Sequence, residues 1–366
     1  MACILVVFGT RPEAIKLCPL IKELEKRRCF RVVVAVTGQH REMLASALEA
    51  FDVRPQYNLA IMRKGQTLSE TTAAILDGLA PILDKHLPDT VLVHGDTVTA
   101  FAASLSAFQR GIRVGHIEAG LRTYDIKAPF PEEFNRRAIS LMAEYHFAPT
   151  AWAAENLKNE GVMPERVFVT GNTGIDALRW ASADTKTLGL VWQWNGKRIL
   201  LLTAHRRENL DGNLKRAFCG IKRVVEAHDD VVLVYPVHQN PKVQEVAKEV
   251  FSSCERVYLV EPMEPFAFYK LLAASYLVLT DSGGVQEEAP YFGKPVLVLR
   301  DKTERPEGVA AGVLRLVGCE ADAVADALGT LLDDSEQYAA MSRATSPFGD
   351  GKASKRIADI LEEVLG

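Results

Sequence analysis

Acidic residues follow apolar runs at three places in the first half of the chain, where carboxylates could transfer protons. Asp96 follows TVLVH, Glu118 follows RVGHI, and Glu132 and Glu133 stand in the proline-started segment PEEFNRR. Asp96 could instead cap a helix, and acidic residues are favourable in a helix's first turn for structural reasons. Three acidic sites at one sheet edge would repel one another, an arrangement that proteins mostly tolerate where proton transfer needs it. We therefore interpret them as acid/base candidates.

Cations at the first strand end could hold an anion. In GTRPEAIK, Gly9 permits a tight turn, while Arg11 and Lys16 could face an anion at the start of the next helix. An ordinary strand-to-helix turn with surface cations explains this segment equally well. This segment alone therefore does not distinguish an anion-binding turn from an ordinary surface turn.

The second half of the chain has imidazoles and small residues at its strand ends. His205 follows RILLLTA, and His238 follows VVLVYPV. The segment Ser282 to Gly284 stands where a strand is expected to become a helix, and small residues there let backbone N–H groups approach a phosphate. Glu288 lies further along that helix, and Arg305 follows the next strand. Together these positions indicate a phosphate-binding region.

Short β-branched runs that alternate with amphipathic segments must position these side chains. Six such runs occur in each half of the chain: CILVVF, RVVVAVT, TVLVH, RVGHIE, YHFAP and RVFVT, then RILLLT, VVLVYP, RVYLV, YLVLT, PVLVL and LRLVG. Such alternation predicts two successive α/β arrays, each with a mostly parallel sheet. We place the domains at residues 1–177 and 178–349, with 350–366 as a helix that could cross back to the first domain.

Composition excludes several classes of protein. The formal net charge of −4 gives no basic surface for nucleic acid or anionic lipid. No apolar run reaches the ~20 residues that span a bilayer, and the amino terminus lacks signal-peptide features. Scattered cysteines without CxxC pairs indicate reduced thiols and a cytoplasmic setting. Without a G-x-G-x-x-G motif or zinc-type histidine spacing, we predict neither a cofactor nor a metal.

The motifs taken together resemble those of the non-hydrolysing UDP-N-acetylglucosamine 2-epimerases, the bacterial WecB/MnaA-like family. The segments are GTRPEAIKLCPL, TGQHREML, HGDT, HIEAGLRT, PEEFNRR, GNTGIDAL, HRREN, PVHQNP and DSGGVQEEAP, and they cover nearly the whole chain. The resemblance implies the GT-B arrangement, in which two Rossmann-like domains flank an active-site cleft. It also implies conversion of UDP-GlcNAc to UDP-ManNAc for cell-surface polysaccharides, and a homodimer.

The resemblance further implies roles for individual residues. Acid/base roles fall on Asp96, Glu118 and Glu132, with His205 beside the departing diphosphate. Contacts to the nucleotide sugar fall on Arg11, Lys16, Asp96, Glu118, His205, Phe268, Ser282, Gly283, Gly284, Glu288 and Arg305. Glu288 would hold the ribose hydroxyls, and the Ser282 to Gly284 amides with Arg11 would hold the diphosphate. Met263 stands where glutamine often occurs near the uracil, which leaves only backbone contacts to the base there.

A second ligand site is implied in the same way. In several bacterial members UDP-GlcNAc binds beside the active site as an activator, through residues that match Gln39, Gln66, Arg206 and His238. Gly65 stands where an arginine often contributes, so this site is expected to be weakened.

Two other functions compete with this hypothesis. An epimerase of a modified sugar, such as UDP-2,3-diacetamido-glucuronate, would differ in few residues. A GT-B glycosyltransferase would share the fold and the nucleotide contacts but would not need three carboxylates for proton exchange at C2. A non-catalytic nucleotide-sugar sensor would have still less use for them.

Overall fold

The computed structural model describes residues 1–38, 41–63, 65–183, 194, 196–205 and 212–366. The chain forms two compact units. The first contains Met1–Ala177 together with Gly349–Gly366, and the second contains Leu178–Phe348. The first unit is therefore assembled from both ends of the sequence.

The first unit is built on a seven-stranded sheet in which all recorded strand pairs are parallel. Its strands are β1 (Ala2–Phe8), β2 (Phe30–Val36), β3 (Tyr57–Asn58), β4 (Thr90–His94), β5 (Arg113–Ile117), β6 (Tyr145–Ala148) and β7 (Val167–Val169). The spatial order is β3-β2-β1-β4-β5-β6-β7, so the order reverses between β1 and β4. Such a switch point is where open α/β sheets bind ligands, beyond the carboxyl ends of the strands.

Helices cover both faces of this sheet and explain why its strands are apolar throughout. They are α1 (Arg11–Glu25), α2 (Arg41–Ala50), α3 (Leu68–His86), α4 (Val98–Phe108), α5 (Glu132–Met142), α6 (Ala151–Asn159), α7 (Thr173–Ala183) and the terminal helix α15 (Ala353–Leu365). Helix α7 contains the boundary between the two units.

Polar contacts join the terminal helix α15 to the rest of the first unit. Asp176 accepts the backbone N–H groups of Ala353 and Ser354 at 3.0 and 2.8 Å. Arg27 forms ion pairs with Asp359 and Glu362 at 2.5 and 2.6 Å. The apolar face of α15 also packs on α1, so this helix is part of the first unit's core.

The second unit repeats the architecture with a six-stranded parallel sheet. Its strands are β8 (Arg198–Thr203), β9 (Val231–Pro236), β10 (Val257–Val260), β11 (Leu277–Thr280), β12 (Val296–Val298) and β13 (Leu314–Leu316). Its helices are α8 (Asn213–Ala227), α9 (Pro241–Phe251), α10 (Pro265–Ala274), α11 (Gly283–Glu288), α12 (Pro306–Ala310), α13 (Ala321–Asp333) and α14 (Ser335–Arg343). The order β10-β9-β8-β11-β12-β13 places its switch point between β8 and β11.

The central strand β8 shows how the core of the second unit is organised. Leu200 and Leu202 belong to one buried apolar cluster, while Ile199 and Leu201 belong to another. Alternate side chains of a strand point to opposite faces, so the two clusters lie on opposite sides of the sheet. The predicted α/β class with two Rossmann-like parallel sheets is confirmed.

Candidate active site

A buried carboxylate organises the turn that follows β1. Thr10 caps α1, and the N–H groups of Gly9 and Thr10 donate to Glu13 Oε2 at 3.1 and 2.8 Å. The Thr97 hydroxyl, in the turn after β4, donates to Glu13 Oε1 at 2.8 Å. Burial raises the pKa of Glu13, and these donors offset only part of that effect. Glu13 thus connects the two turns at the switch point of the first sheet.

Asp96 lies in the turn after β4, where Thr97 rather than Asp96 caps the next helix. The Thr97 side chain accepts the N–H of Ala100 at 3.0 Å, which completes the start of α4. The Asp96 carboxylate instead pairs with Arg136, whose Nε donates to Oδ2 at 3.1 Å. Asn135 donates to the Asp96 backbone oxygen at 2.9 Å. The side chain is therefore held by α5 and is not used as a helix cap.

Neighbouring charges alter the acidity of Asp96. Burial is the largest influence and raises the pKa of this carboxyl, whereas the Arg136 guanidinium lowers it. The charges of Glu118 and Glu132 raise the pKa further, and the net shift is upward. A carboxyl with a raised pKa can exchange a proton more readily near neutral pH. Glu118 and Glu132 therefore both act electrostatically on Asp96.

Glu118 directly follows β5 in an unusual backbone conformation. Its φ angle is 63°, in the left-handed region, which costs a residue with a side chain of order 1–3 kcal/mol. Lys16 forms an ion pair with Glu118 Oε2, and His94 Nε2 lies 3.5 Å from the same oxygen. Burial lowers the pKa of His94 to about 4, so this imidazole is neutral at physiological pH. The strained turn thus places the Glu118 carboxylate beside the Lys16 ammonium and the neutral His94 imidazole.

The adjacent residues Glu132 and Glu133 have different environments at the start of α5. Glu133 is completely buried and accepts the N–H groups of Thr123 and Tyr124 at 3.1 and 3.2 Å. Arg136 also donates to Glu133, at 3.3 Å. Glu132 is half-buried, and its charge raises the pKa of Asp96. Glu133 is therefore occupied by structural hydrogen bonds, and Glu132 is the member of the pair that acts on Asp96.

The switch point of the second sheet holds two stacked imidazoles and a buried carboxylate. The His205 N–H donates to both oxygens of Asp281 at 3.1 and 3.0 Å, and His205 Nδ1 lies 3.5 Å from Oδ1. Asp281 directly follows β11 and is fully buried. The rings of His205 and His238 are stacked, with centroids 5.2 Å apart and planes 14° apart. The imidazole of His205 is thereby fixed in place beyond the end of β8.

A guanidinium lies against the backbone at the start of α11. A Cβ atom on Gly283 would stand 2.9 Å from Arg305 Cζ, so only glycine leaves room for this contact. Arg305 Nε donates to Glu287 Oε1 at 2.7 Å, which orients the guanidinium. A guanidinium that is fixed in this way suits the oxygens of a phosphate. Ser282, which precedes Gly283, is half-buried.

Glu288 and two aromatic residues complete the candidate region of the second unit. Tyr269 donates to Glu288 Oε1 at 3.5 Å. Phe268 is half-buried and packs on the apolar cluster that contains Leu201. Gly284 is exposed and lies close to Glu288. A Cβ atom added to Gly284 would stand 3.8 Å from Glu288 Oε1.

The predicted site residues therefore fall into two groups, according to the unit that contains them. In the first unit, Lys16 and Glu118 are paired, and Arg11 is the half-buried first residue of α1. The other members of that group are Asp96 and Glu132. The second unit holds His205, Phe268, Ser282, Gly283, Gly284, Glu288 and Arg305.

Three residues that contribute to these groups were not singled out from the sequence. Arg136 follows Glu132 by four positions, the spacing that places two side chains on one helix face. His94 is the last residue of β4, and Asp281 directly follows β11. The strand-end argument that identified Asp96 could also have identified Asp281. The pairing of Arg136 with Asp96 could not have been identified, because Asp96 lies in the turn after β4 and Arg136 lies on α5.

The residues of the suggested activator site are only partly described. Gln39 and Arg206 lie outside the described residues. Gln66 is half-buried, and its Oε1 accepts the N–H of Arg63 at 3.2 Å. His238 is exposed and stacks on His205. Activation through these residues stays a prediction.

The described part of the chain has neither a metal-binding cluster nor a membrane-spanning helix. Neither histidine, cysteine nor acidic side chains form a group of three or more there that could ligate a metal ion. Among the same residues, none of the helices has the length and apolarity to cross a membrane.

Comparison with known proteins identifies the family. The family profile described as UDP-N-acetylglucosamine 2-epimerase matches residues 22–362. The UDP-N-acetylglucosamine 2-epimerase of Bacillus subtilis is 49% identical over 358 residues, which is 98% of this chain and 94% of that protein.

Solved structures give the same answer. That of the Neisseria meningitidis UDP-GlcNAc 2-epimerase bound to UDP-GlcNAc has a TM-score of 0.89 and 44% identity, and the match covers 99% of this chain and 100% of that one. That of S. aureus MnaA with UDP has a TM-score of 0.88 and 47% identity, over 100% and 97% of the two chains. Since profile and relatives match along nearly the whole length, the chain belongs to the UDP-N-acetylglucosamine 2-epimerase family.

Proposed function

We propose that the protein interconverts UDP-GlcNAc and UDP-ManNAc by inverting C2 of the sugar. The observation that carries this proposal is the acidic group of the first unit. There, burial and the charges of Glu118 and Glu132 raise the pKa of Asp96. Family membership supports the substrate, and relatives of known structure hold UDP-GlcNAc or UDP.

The chemistry explains why several acids and bases are needed. The C2 hydrogen of GlcNAc has no adjacent carbonyl, so an ordinary carboxylate cannot remove it unaided. Cleavage of the C1–O bond, with its electron pair leaving on UDP, gives C1 oxocarbenium character and acidifies C2–H. A carboxylate then takes the proton, and the C–H electrons form the C1=C2 double bond of 2-acetamidoglucal. Protonation of the opposite face and readdition of UDP at C1 give the epimer.

The carboxylates of the first unit supply the proton transfers in this scheme. Asp96, Glu118 and Glu132 act on the hexose, and a well-placed acid or base contributes about 10²–10⁴-fold to such a step. The Lys16 ammonium favours the charged form of Glu118, which suits a base. Asp96, with its raised pKa, is better suited than an ordinary aspartate to hold a proton.

Residues of the second unit hold the UDP moiety in this scheme. The fixed guanidinium of Arg305 and the backbone of Ser282 to Gly284 bind the diphosphate, with Arg11 of the first unit as a further cation. Glu288 accepts hydrogen bonds from the ribose hydroxyls, and Phe268 contacts the uracil. His205 lies beside the departing diphosphate, oriented by Asp281. Retention of UDP is essential, because readdition at C1 consumes it.

The biological setting is part of the same proposal. UDP-ManNAc would supply ManNAc units for cell-surface polysaccharides. The scattered cysteines suit a cytoplasmic enzyme, and family resemblance favours a homodimer. Gel filtration with light scattering tests the dimer independently of activity.

The test is incubation of the purified protein with UDP-GlcNAc in deuterated water, with EDTA and no added cofactor, followed by proton NMR. We expect UDP-ManNAc labelled with deuterium at C2, together with labelled UDP-GlcNAc from the reverse reaction. Absence of C2 exchange would contradict the proposal. Exchange only with UDP-2,3-diacetamido-glucuronate would instead identify an epimerase of that sugar, and transfer of GlcNAc to an acceptor without C2 labelling would identify a glycosyltransferase.

A further inference from the structure

A buried histidine connects the two turns that carry Asp96 and Glu118. His116 is in β5, two residues before Glu118, and its side chain is fully buried. Its Nε2 lies 2.7 Å from the backbone oxygen of Gly95, the residue before Asp96. Because a carbonyl only accepts, the imidazole donates this hydrogen bond through Nε2–H.

Gly95 returns the contact through its own N–H. That group donates to the backbone oxygen of Ile117, the residue before Glu118, at 2.9 Å. The turn after β4 and the end of β5 therefore each donate one hydrogen bond to the other. Gly95 and Glu118 have φ angles of 64° and 63°, so both turns depend on left-handed residues. Glycine adopts such a φ angle without strain, but for Glu118 this conformation persists only where the surrounding contacts determine it.

The imidazole remains the same kind of donor over the working pH range. Burial is the main cause that lowers the pKa of His116 to about 3. The ring is therefore neutral near pH 7, with one N–H group, and that group points to Gly95. A neutral buried ring does not compete with the carboxylates for protons. Its contribution to the site is geometric.

We propose that His116 is a positioning residue that holds Asp96 and Glu118 at a fixed separation through the carbonyl of Gly95. This inference rests on the proposed function, because the separation matters only if both carboxylates act on one substrate. Loss of the donor leaves the Gly95 oxygen buried without this partner and removes one of the contacts that position the turn carrying Asp96, while the contacts of Asn135 and Arg136 remain. A displacement of about 1 Å of a reacting group can cost about 10²-fold in rate.

His146 provides a matched control in the next strand. It stands opposite His116 in the register of β5 and β6, and its side chain is 1% exposed. Burial lowers the pKa of His146 to about 4, so this ring is neutral too. Its backbone partner is Ala143, at the opposite end of α5 from Glu132. The same substitution at either position therefore removes a buried imidazole, but only one touches a turn of the candidate site.

The experiment compares His116→Asn, His116→Gln and His146→Asn with the wild-type protein, using kcat and KM for UDP-GlcNAc. Glutamine can still reach the Gly95 carbonyl with its amide, whereas asparagine is one methylene shorter. We expect His116→Asn to lower kcat by about 10²-fold with KM within about twofold. Both His116→Gln and His146→Asn should stay within about fivefold of the wild-type kcat, even where His146→Asn lowers the melting temperature as much as His116→Asn.

Two results would overturn this inference. One is a kcat of His116→Asn within threefold of the wild type, and the other is an equal loss in His146→Asn or in His116→Gln. If His116→Asn does not fold, His116→Leu replaces it, with the same expectation and with His146→Leu as its control. Absence of C2 exchange in the wild-type protein would refute the proposed function instead, so the two failures are distinguishable.

Discussion

The switch points of the two sheets have the same topology but opposite chemistry. Near the switch between β1 and β4 the first unit presents carboxylates, and the charges of Glu118 and Glu132 raise the pKa of Asp96. Between β8 and β11 the second unit presents stacked imidazoles, glycines and a guanidinium. Because the backbone architecture is alike, the difference comes from the few residues after each strand. We infer that the first switch point was shaped for proton transfer and the second for holding an anion.

Support for the two sites also differs. In the first unit the turns are fixed by buried carboxylates, since Glu13 joins the turns after β1 and β4 and Glu133 holds the segment before α5. In the second unit the buried Asp281 holds the backbone of His205 through both of its oxygens, and the buried Glu287 orients the guanidinium of Arg305. Among the described residues, buried carboxylates thus fix backbone turns in the first unit, whereas in the second they hold one backbone N–H group and one side chain.

The sharpest test of this comparison makes one substitution in each unit. Glu118→Gln should lower kcat by about 10²–10⁴-fold, because it removes a proton-transfer group. Its affinity for UDP should stay within about twofold of the wild type. Glu288→Gln should weaken UDP binding by about 10–100-fold, because a charged acceptor contributes about 1.5–3 kcal/mol to a hydrogen bond. Steady-state kinetics and calorimetric titration with UDP measure the two effects.

The comparison fails if the two substitutions change kcat and UDP affinity in the same way. A large loss of UDP affinity in Glu118→Gln, or a loss of kcat without a loss of affinity in Glu288→Gln, would show that chemistry and nucleotide binding are not divided as proposed. Unfolding curves of both variants serve as the control for folding.

The second prediction concerns acid stability, which should depend chiefly on the first unit. The folded-state pKa values of His94, His116 and His146 are lowered by burial to about 4, 3 and 4, below the ordinary value of about 6.5. As pH falls below 6.5, the unfolded chain binds protons at these positions and the folded chain does not. The free energy of unfolding should therefore fall, with a limiting slope of about 4 kcal/mol per pH unit for three protons.

Urea unfolding between pH 7.5 and 5.5 measures this slope. His146→Gln should reduce the slope by one proton, about 1.4 kcal/mol per pH unit. His228 of the second unit behaves in the opposite way, because the backbone oxygen of Val224 raises its pKa. Its contribution to the free energy of unfolding is present at low pH and is lost as pH rises. An unchanged slope in His146→Gln would show that this ring is not neutral in the folded protein.

The smallest expected effect is at Gly283. A Cβ atom there would stand 2.9 Å from Arg305 Cζ, so Gly283→Ala must displace the guanidinium. We expect a roughly tenfold weaker affinity for UDP, about 1.4 kcal/mol. Gly329→Ala is a control in α13, because nothing lies within 4 Å of the added Cβ. Equal UDP affinities in both variants would remove Arg305 from the proposed phosphate contacts.

The strands could be predicted from the sequence because their signal is local. All twelve apolar runs coincide with strands of the structure, since a strand buried on both faces must be apolar along its length. The strand β3 was missed because Tyr57 and Asn58 alone give no periodic pattern. Its position depends on pairing with Ala35 and Val36 of β2, which lie far away in the sequence.

The candidate site could be predicted only in part, for a related reason. Asp96 and Glu118 follow strands directly, so their placement beyond the sheet edge follows from the strand pattern. The choice between Glu132 and Glu133 depends on which one receives the N–H groups of Thr123 and Tyr124. Those contacts are tertiary, and adjacent identical residues give no local signal to distinguish them. The ion pair of Arg136 with Asp96 was missed for the same reason.

The helix α15 makes the second unit an insertion within the first. Its 13 residues belong to the unit that contains Met1–Ala177, although the whole second unit separates them in the sequence. A single cut of the chain after Ala177 therefore cannot release the first unit intact. The fragment Met1–Ala177 would lack this helix and would expose the surface of α1 on which it packs.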